Sequence, residues 1–161
     1  MKKNWALLPL MMLLAAALLP AQGKMQVKID NYEITVPTGW MAQRTDSDAL
    51  FILYSPVEED DTFRENVNLV EEQLLLKTTP ENYLKAARTN LTAAFGEFDI
   101  LEQGKDYHII RLETGDQELQ LMQCARIKGK TAIVITCTAS PESFERYQPV
   151  FKEIVGSFKY K

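Results

Sequence analysis

The chain has 161 residues, of which 46% are hydrophobic and 25% charged, a composition typical of a globular protein with one good core. Its formal net charge is −4, and it contains no run of basic residues. This balance argues against nucleic-acid binding and against attachment to an anionic membrane through bulk charge. A single histidine excludes a zinc site built from several histidines.

The N-terminus has the three-part layout of a secretory signal. Lys2 and Lys3 precede an unbroken apolar run over residues 5–19, and the small residues Ala21 and Gly23 follow. Small residues at these two positions are what a signal peptidase reads. An uncleaved membrane anchor is the alternative, but an apolar run of about 15 residues is shorter than the roughly 20 that cross a bilayer.

Cleavage before Lys24 divides the chain into a signal peptide, residues 1–23, and a single domain, residues 24–161. Two of the 18 basic residues and none of the 22 acidic residues precede the cut, so the domain carries 16 basic and 22 acidic residues, a net charge of −6. We therefore expect an exported protein, periplasmic or extracellular, with no stable membrane anchor after the signal is removed.

The domain opens with short apolar strands separated by turns. Residues 25–29 and 32–36 flank a polar pair at residues 30–31, which predicts a tight hairpin. A Pro-x-Gly turn follows and leads to Trp40, which we expect in the core. Residues 49–54 are apolar throughout and predict a buried strand.

A strand and a helix follow. Residues 67–76 alternate on a weakly apolar pattern, which indicates a strand towards an edge of the sheet. Thr79 and Pro80 predict a helix N-cap and first position, and Gly96 predicts the C-cap. The apolar stripe of this helix comprises Tyr83, Leu84, Ala87, Leu91, Ala94 and Phe95.

Two more hairpins complete the predicted sheet. Residues 98–103 and 107–112 form the first, and residues 117–127 and 132–138 form the second around Gly129. The return strand of the second hairpin is nearly all β-branched, which favours a central strand covered on one face and at least partly on the other.

The last predicted element is a helix capped by Ser140, with Pro141 at its first position. Pro149 lies inside the pattern and predicts a break or kink near residues 147–148. The apolar stripe comprises Phe144, Tyr147, Phe151, Ile154, Val155 and Phe158. Strands joined by short turns are antiparallel neighbours, so the order predicts an α+β fold with two main helices and no doubly wound nucleotide-binding fold.

Three stretches carry a family resemblance: Tyr-Glu-Ile-Thr-Val-Pro-Thr-Gly-Trp at residues 32–40, the strand ending in Ser-Pro at residues 50–56, and the aromatic stripe at residues 144–158. Together they resemble the PsbP-like superfamily, which includes the extrinsic PsbP proteins of photosystem II and bacterial DcrB-like envelope proteins. The resemblance implies an α/β/α sandwich with a central antiparallel sheet, used for binding or assembly and not for catalysis.

Catalytic candidates are few. His108 lies in a predicted strand without a companion motif, and Cys124 and Cys137 lie in apolar strands with no adjacent base. A turn centred on residues 128–129 pairs Cys124 with about Ile133, so Cys137 would lie on the order of 14 Å away, beyond the roughly 7 Å that a disulfide allows. We predict two buried free thiols.

The serines also lack a catalytic context. Ser55, Ser140 and Ser157 have turn, cap or helix roles, and the chain has no Gly-x-Ser-x-Gly elbow and no glycine-rich phosphate loop. We therefore predict a non-enzyme without a cofactor. A hydrolase with an unrecognised site is one alternative, and it would need His108 beside a serine and a carboxylate.

A polar insertion over residues 57–65 contains one acidic run. Carboxylates suit hard divalent cations such as calcium, but the run lacks the alternating spacing and glycine of a calcium loop. A divalent-cation-binding protein is therefore the second alternative. Its candidate metal ligands are Glu58, Glu59, Asp60 and Asp61.

The leading hypothesis is an exported binding or assembly module. A groove or an edge strand would hold a protein partner or a small apolar ligand.

Overall fold

A computed structural model of the chain describes residues 23–45, 49–59 and 63–161. The predicted signal peptide lies outside the described residues, apart from Gly23. Within the described part, no helix has both the length and the apolar character needed to cross a membrane.

The described residues form ten strands and two helices. Helix α1 spans Pro80–Phe95 and helix α2 spans Pro141–Gly156. The strands are β1 Lys24–Ile29, β2 Tyr32–Pro37, β3 Met41–Gln43, β4 Ala49–Tyr54, β5 Asn66–Gln73, β6 Asp99–Gln103, β7 Tyr107–Thr114, β8 Gln117–Lys128, β9 Thr131–Ala139 and β10 Lys159–Tyr160.

Seven strands form the main sheet in the order β3-β4-β5-β9-β8-β7-β6, and each neighbouring pair is antiparallel. Strands β1, β2 and β10 form a second, smaller sheet, where the sequence predicted one sheet only. The α+β prediction is confirmed, because both sheets are antiparallel throughout and each helix follows a run of several strands in the chain order.

The prediction that the fifth strand lies towards an edge is wrong. Strand β5 lies between β4 and β9, well inside the sheet. Its buried side chains Val67 and Leu69 face the main core, whereas Asn68 lies level with Thr136 of β9 on the other face. The polar face of β5 had suggested an edge strand. Instead it belongs to a row of polar residues that crosses neighbouring strands, namely Asn68, Thr136, Gln123 and His108.

Helix α2 covers one face of the main sheet and contacts β2, β8 and β9. The Ser140 hydroxyl accepts a hydrogen bond from the Ser143 N–H, as expected for an N-cap. Phe158 lies beyond the end of the helix and is only partly buried, but the other stripe residues are confirmed as buried: Phe144, Tyr147, Phe151, Ile154 and Val155. The predicted break does not occur, since α2 runs without interruption from Pro141 to Gly156; Pro149 lies on its exposed side, where solvent can satisfy the carbonyl that loses its helical donor.

Helix α1 covers the opposite face over β7 and β8, which completes the α/β/α sandwich. Thr79 is its N-cap, because its Oγ1 accepts a hydrogen bond from the Asn82 N–H at 3.2 Å. The predicted apolar stripe of α1 is longer than the buried face of this helix. Leu84 is its one buried member, and the last-turn residues Ala94 and Phe95 are exposed. Helix α1 is therefore held mainly through its first half.

The β8–β9 hairpin corrects the predicted cysteine spacing. The turn brings Lys128 opposite Thr131, so Cys124 lies opposite Ile135 instead of Ile133. Cys137 is therefore a diagonal neighbour of Cys124, at about 7–8 Å and not 14 Å. Both residues are buried free thiols, and burial raises the pKa of Cys124 to about 12. Neither thiol is a reactive nucleophile at neutral pH.

Candidate functional site

An open groove of about 890 Å³ lies between the second half of α1 and the strands β6 and β7. We call it the α1–β6 groove. Its apolar lining comprises Ala93, Phe98, Ile100 and Leu112. Its charged rim comprises Arg88, Glu97, Asp99, Arg111, Glu113 and Glu118.

The local sequence explains why the groove forms. Gly96 ends α1 at a φ of 83°, and its N–H donates a hydrogen bond to the Thr92 carbonyl oxygen at 2.9 Å. Strand β6 begins only three residues later, so the last turn of α1 stands directly beside it. Because that turn is not buried against the sheet, a gap remains between helix and strand.

Large apolar side chains are exposed at this corner of the molecule. Phe95 is 47% exposed, Ile100 49% and Leu101 46%. Leu101 is the extra residue of a β-bulge, since Ile100 pairs with Ile110 while Glu102 pairs with Ile109. Bulges commonly redirect a side chain near functional sites. The corner therefore offers apolar contact area beyond the groove itself.

Strand β6 is also an edge of the main sheet. Among the described residues it pairs with β7 alone, and all five of its residues are exposed. The backbone groups on its outer side are available to another chain. Apolar lining, exposed apolar side chains and open backbone groups thus meet at one place.

The rim of the groove is negative. Four carboxylates face two guanidinium groups, and one of these, Arg111, donates to Asp99 with an Nη2–Oδ2 distance of 2.7 Å. This hydrogen bond raises the pKa of Arg111 above its usual value. Arg88 donates from Nη1 to the Gln103 side-chain oxygen at 3.2 Å, which ties α1 to β6.

His108 lies beneath α1 and is completely buried. Gln123 is directly opposite on β8 and interacts with the ring, but neither ring nitrogen completes a hydrogen bond with a described residue. Burial, assisted by the charge of Arg88, lowers the pKa of His108 to about 4. The imidazole is therefore neutral at pH 7.

Ser55, Ser140 and Ser157 form hydrogen bonds to groups other than His108. Ser55 Oγ donates to Glu65 Oε2 at 3.1 Å, and both residues are buried. Ser157 bonds to the backbone of Thr35, and Ser140 is the cap of α2. In the described part of the chain, His108 bonds to no serine and no carboxylate, so the arrangement that a hydrolase needs does not form around it.

The acidic run is only partly described. Glu58 bonds through Oε2 to Arg146 at 2.8 Å and accepts the Tyr147 hydroxyl on Oε1 at 3.0 Å. Glu59 is exposed, and Asp60 and Asp61 lie outside the described residues. The described residues contain no cluster of three or more potential metal ligands. The cation site at Glu58, Glu59, Asp60 and Asp61 stays a prediction.

Neither a protein-family model nor a curated protein matches the chain. Solved structures do match it. PsbP of the cyanobacterium Synechocystis sp. PCC 6803 superposes with a TM-score of 0.60 at 13% identity, covering 90% of this chain and 96% of that one. The chain has the PsbP-like fold.

Two further PsbP-like structures extend the comparison. Mog1p, a Ran-binding protein of Saccharomyces cerevisiae, has a TM-score of 0.65 at 10% identity, with 87% of this chain and 96% of Mog1p covered. LpqN of Mycobacterium tuberculosis, which is involved in cell envelope biogenesis, has a TM-score of 0.58 at 11% identity, with 86% and 91% covered. At these identities the similarity shows the fold alone.

Proposed function

We propose that this protein is an exported, non-catalytic binding module that holds a protein partner in the α1–β6 groove. The observation that carries the proposal is the open apolar groove beside the free edge of β6. Export is supported by the signal-like residues 1–23 and by the similar fold of LpqN, a protein involved in cell envelope biogenesis.

The shape of the groove favours a protein over a small apolar ligand. Ligand pockets typically bury about 70–90% of a small molecule. Both walls here are exposed, with Thr92 and Ala93 on the helix side and Asp99 and Ile100 on the strand side. A protein segment can also contact Leu101 outside the groove and pair with the β6 backbone, as in β-strand addition.

The charges of the groove indicate the chemistry of the partner. Its rim carries two more carboxylates than guanidinium groups, and the domain as a whole is acidic. Complementary charge steers a partner and sets its register. The partner segment should therefore carry apolar residues flanked by lysine or arginine.

The proposed non-catalytic role is consistent with the state of the titratable core. Burial keeps His108 neutral and raises the pKa of Cys124, so neither group is suited to proton transfer or nucleophilic attack at neutral pH. Mog1p, which has the same fold, is a Ran-binding protein, and this supports a binding role for the fold.

Affinity capture from an envelope extract tests the proposal with two matched variants. The double variant Ile100→Ser/Leu101→Ser removes apolar contacts at the groove, and Leu75→Ser/Leu76→Ser removes two still more exposed apolar side chains elsewhere. We expect the wild type and the second variant to recover the same basic protein, and the first variant to recover on the order of tenfold less. Thermal unfolding of each variant controls for folding.

Equal recovery by the groove variant would contradict the proposed site. Absence of any specific protein in the wild-type capture would contradict the proposed function.

A further inference from the structure

The connection between β5 and α1 exposes two consecutive leucines. Leu75 is 90% exposed and Leu76 is 78% exposed. We call this pair the leucine tip. The residue before the tip is bonded to the β8–β9 turn, because the Leu74 N–H donates a hydrogen bond to the Lys130 carbonyl oxygen at 2.7 Å. The two leucines thus project beside the β8–β9 turn.

Three exposed lysines belong to the same end of the molecule as the leucine tip. Lys77 follows it directly in sequence, and Lys128 and Lys130 belong to the turn against which it is anchored. Lys128 lies with Nζ 4.8 Å from the centre of the Tyr160 ring. Across the described ranges, none of these lysines is within ion-pair distance of a carboxylate.

The nearest carboxylates of β5 are set back from the tip. Glu71 accepts the Tyr32 hydroxyl and Glu72 accepts the Tyr83 hydroxyl, and each contact raises the pKa of its tyrosine in addition to the effect of burial. Glu72 lies three residues before Leu75, or about 10 Å back along an extended chain. Leu75, Leu76 and Lys77 therefore lie beyond both of these carboxylates along the chain.

We propose that the leucine tip and its three lysines form a contact surface for a bilayer containing anionic phospholipids. Single exposed apolar residues are ordinary, but two adjacent leucines beside lysines that form no ion pair with a described carboxylate match the two requirements of such a surface. The leucines enter the acyl boundary and the lysines meet the lipid phosphates. The net negative charge of the chain opposes other orientations at an anionic surface.

The tip and the α1–β6 groove lie near opposite ends of α1. The helix has 16 residues, which corresponds to a length of about 24 Å. Membrane contact at the tip therefore leaves the groove free for a partner, and the inference stands independently of the proposed partner site.

Vesicle co-sedimentation tests the inference. The chain from Gly23 onward contains every described strand and helix and lacks the apolar N-terminal run, which would itself bind lipid. We expect it to sediment with vesicles of mixed phosphatidylcholine and phosphatidylglycerol, to remain in solution with phosphatidylcholine alone, and to be released by high salt.

Substitutions locate the contact. We expect Leu75→Ser/Leu76→Ser to weaken partitioning on the order of tenfold or more, and Lys128→Gln and Lys130→Gln to weaken it about fivefold each. Ile100→Ser/Leu101→Ser replaces two partly exposed apolar side chains at the groove and should partition like the wild type. Wild-type binding by the leucine variant would overturn the proposal.

A tryptophan reports insertion directly. In Leu75→Trp the new indole should shift its emission to shorter wavelength on anionic vesicles, whereas buried Trp40, the single native tryptophan from Gly23 onward, should not respond. Unchanged emission, or leucine-dependent self-association without vesicle binding, would also overturn the proposal. The latter result would assign the tip to a second copy of the chain.

Discussion

Replacing Phe151 with alanine is expected to lower the free energy of unfolding by about 3–5 kcal/mol. Phe151 is completely buried between α2 and the main sheet, and its ring centre lies 6.1 Å from Phe144 and 5.9 Å from Tyr147. The substitution removes most of a large side chain and leaves a cavity that rigid strands cannot fill. Urea unfolding followed by circular dichroism measures the loss.

Lys152→Ala provides the matched control, because the neighbouring lysine is exposed and its removal should change stability by less than about 0.5 kcal/mol. If the alanine variant does not fold, Phe151→Leu should still fold with a smaller loss. A loss below about 1 kcal/mol for Phe151→Ala would show that the α2 face is not the main core.

Acidification from about pH 6.5 towards pH 4 is expected to destabilise the protein through His108. The pKa of this residue falls from 6.5 in the unfolded chain to about 4 in the folded one. Above pH 6.5 His108 is neutral in both the folded and the unfolded chain, so its protonation does not lower the free energy of unfolding. As the pH falls, the unfolded state binds the proton first, and the stability lost by about pH 4 is of order 3 kcal/mol.

His108→Leu should abolish this part of the pH dependence. It should also raise stability at neutral pH by about 1–3 kcal/mol, because two buried ring nitrogens without hydrogen bonds are removed. Unfolding curves between pH 7 and pH 5 are the most informative, since most carboxylates titrate below that range. Identical slopes for the wild type and the variant would contradict the assigned environment of His108.

Local sequence signals predicted the parts of the fold that local chemistry controls. Thr79 and Ser140 cap the helices by hydrogen bonds to residues three positions on, and the β-branched residues of β9 predicted a central strand. Local sequence signals whose meaning depends on tertiary packing gave wrong predictions. Pro149 does not break α2 because it faces solvent, and the weak pattern of β5 reflects a polar row on an inner strand.

The candidate site was harder to predict because long-range packing creates it. The α1 stripe gives no sign that Phe95 lies beyond the sheet, although the apolar pair Ile100-Leu101 in an edge strand could have suggested a contact surface. The sequence instead predicted a candidate site at the acidic run of residues 58–61. Glu58 is in fact bonded to Arg146, which is 88 positions away in the sequence. No local pattern reveals such a partner.

Hydrogen exchange of the protein with its captured partner tests the central claim most directly. The amides of β6, from Asp99 to Gln103, and those of the last turn of α1 should exchange more slowly in the complex, while the exposed side of α2 should be unchanged. Protection confined to α2, or unchanged exchange throughout β6, would contradict the assignment of the α1–β6 groove as the binding site.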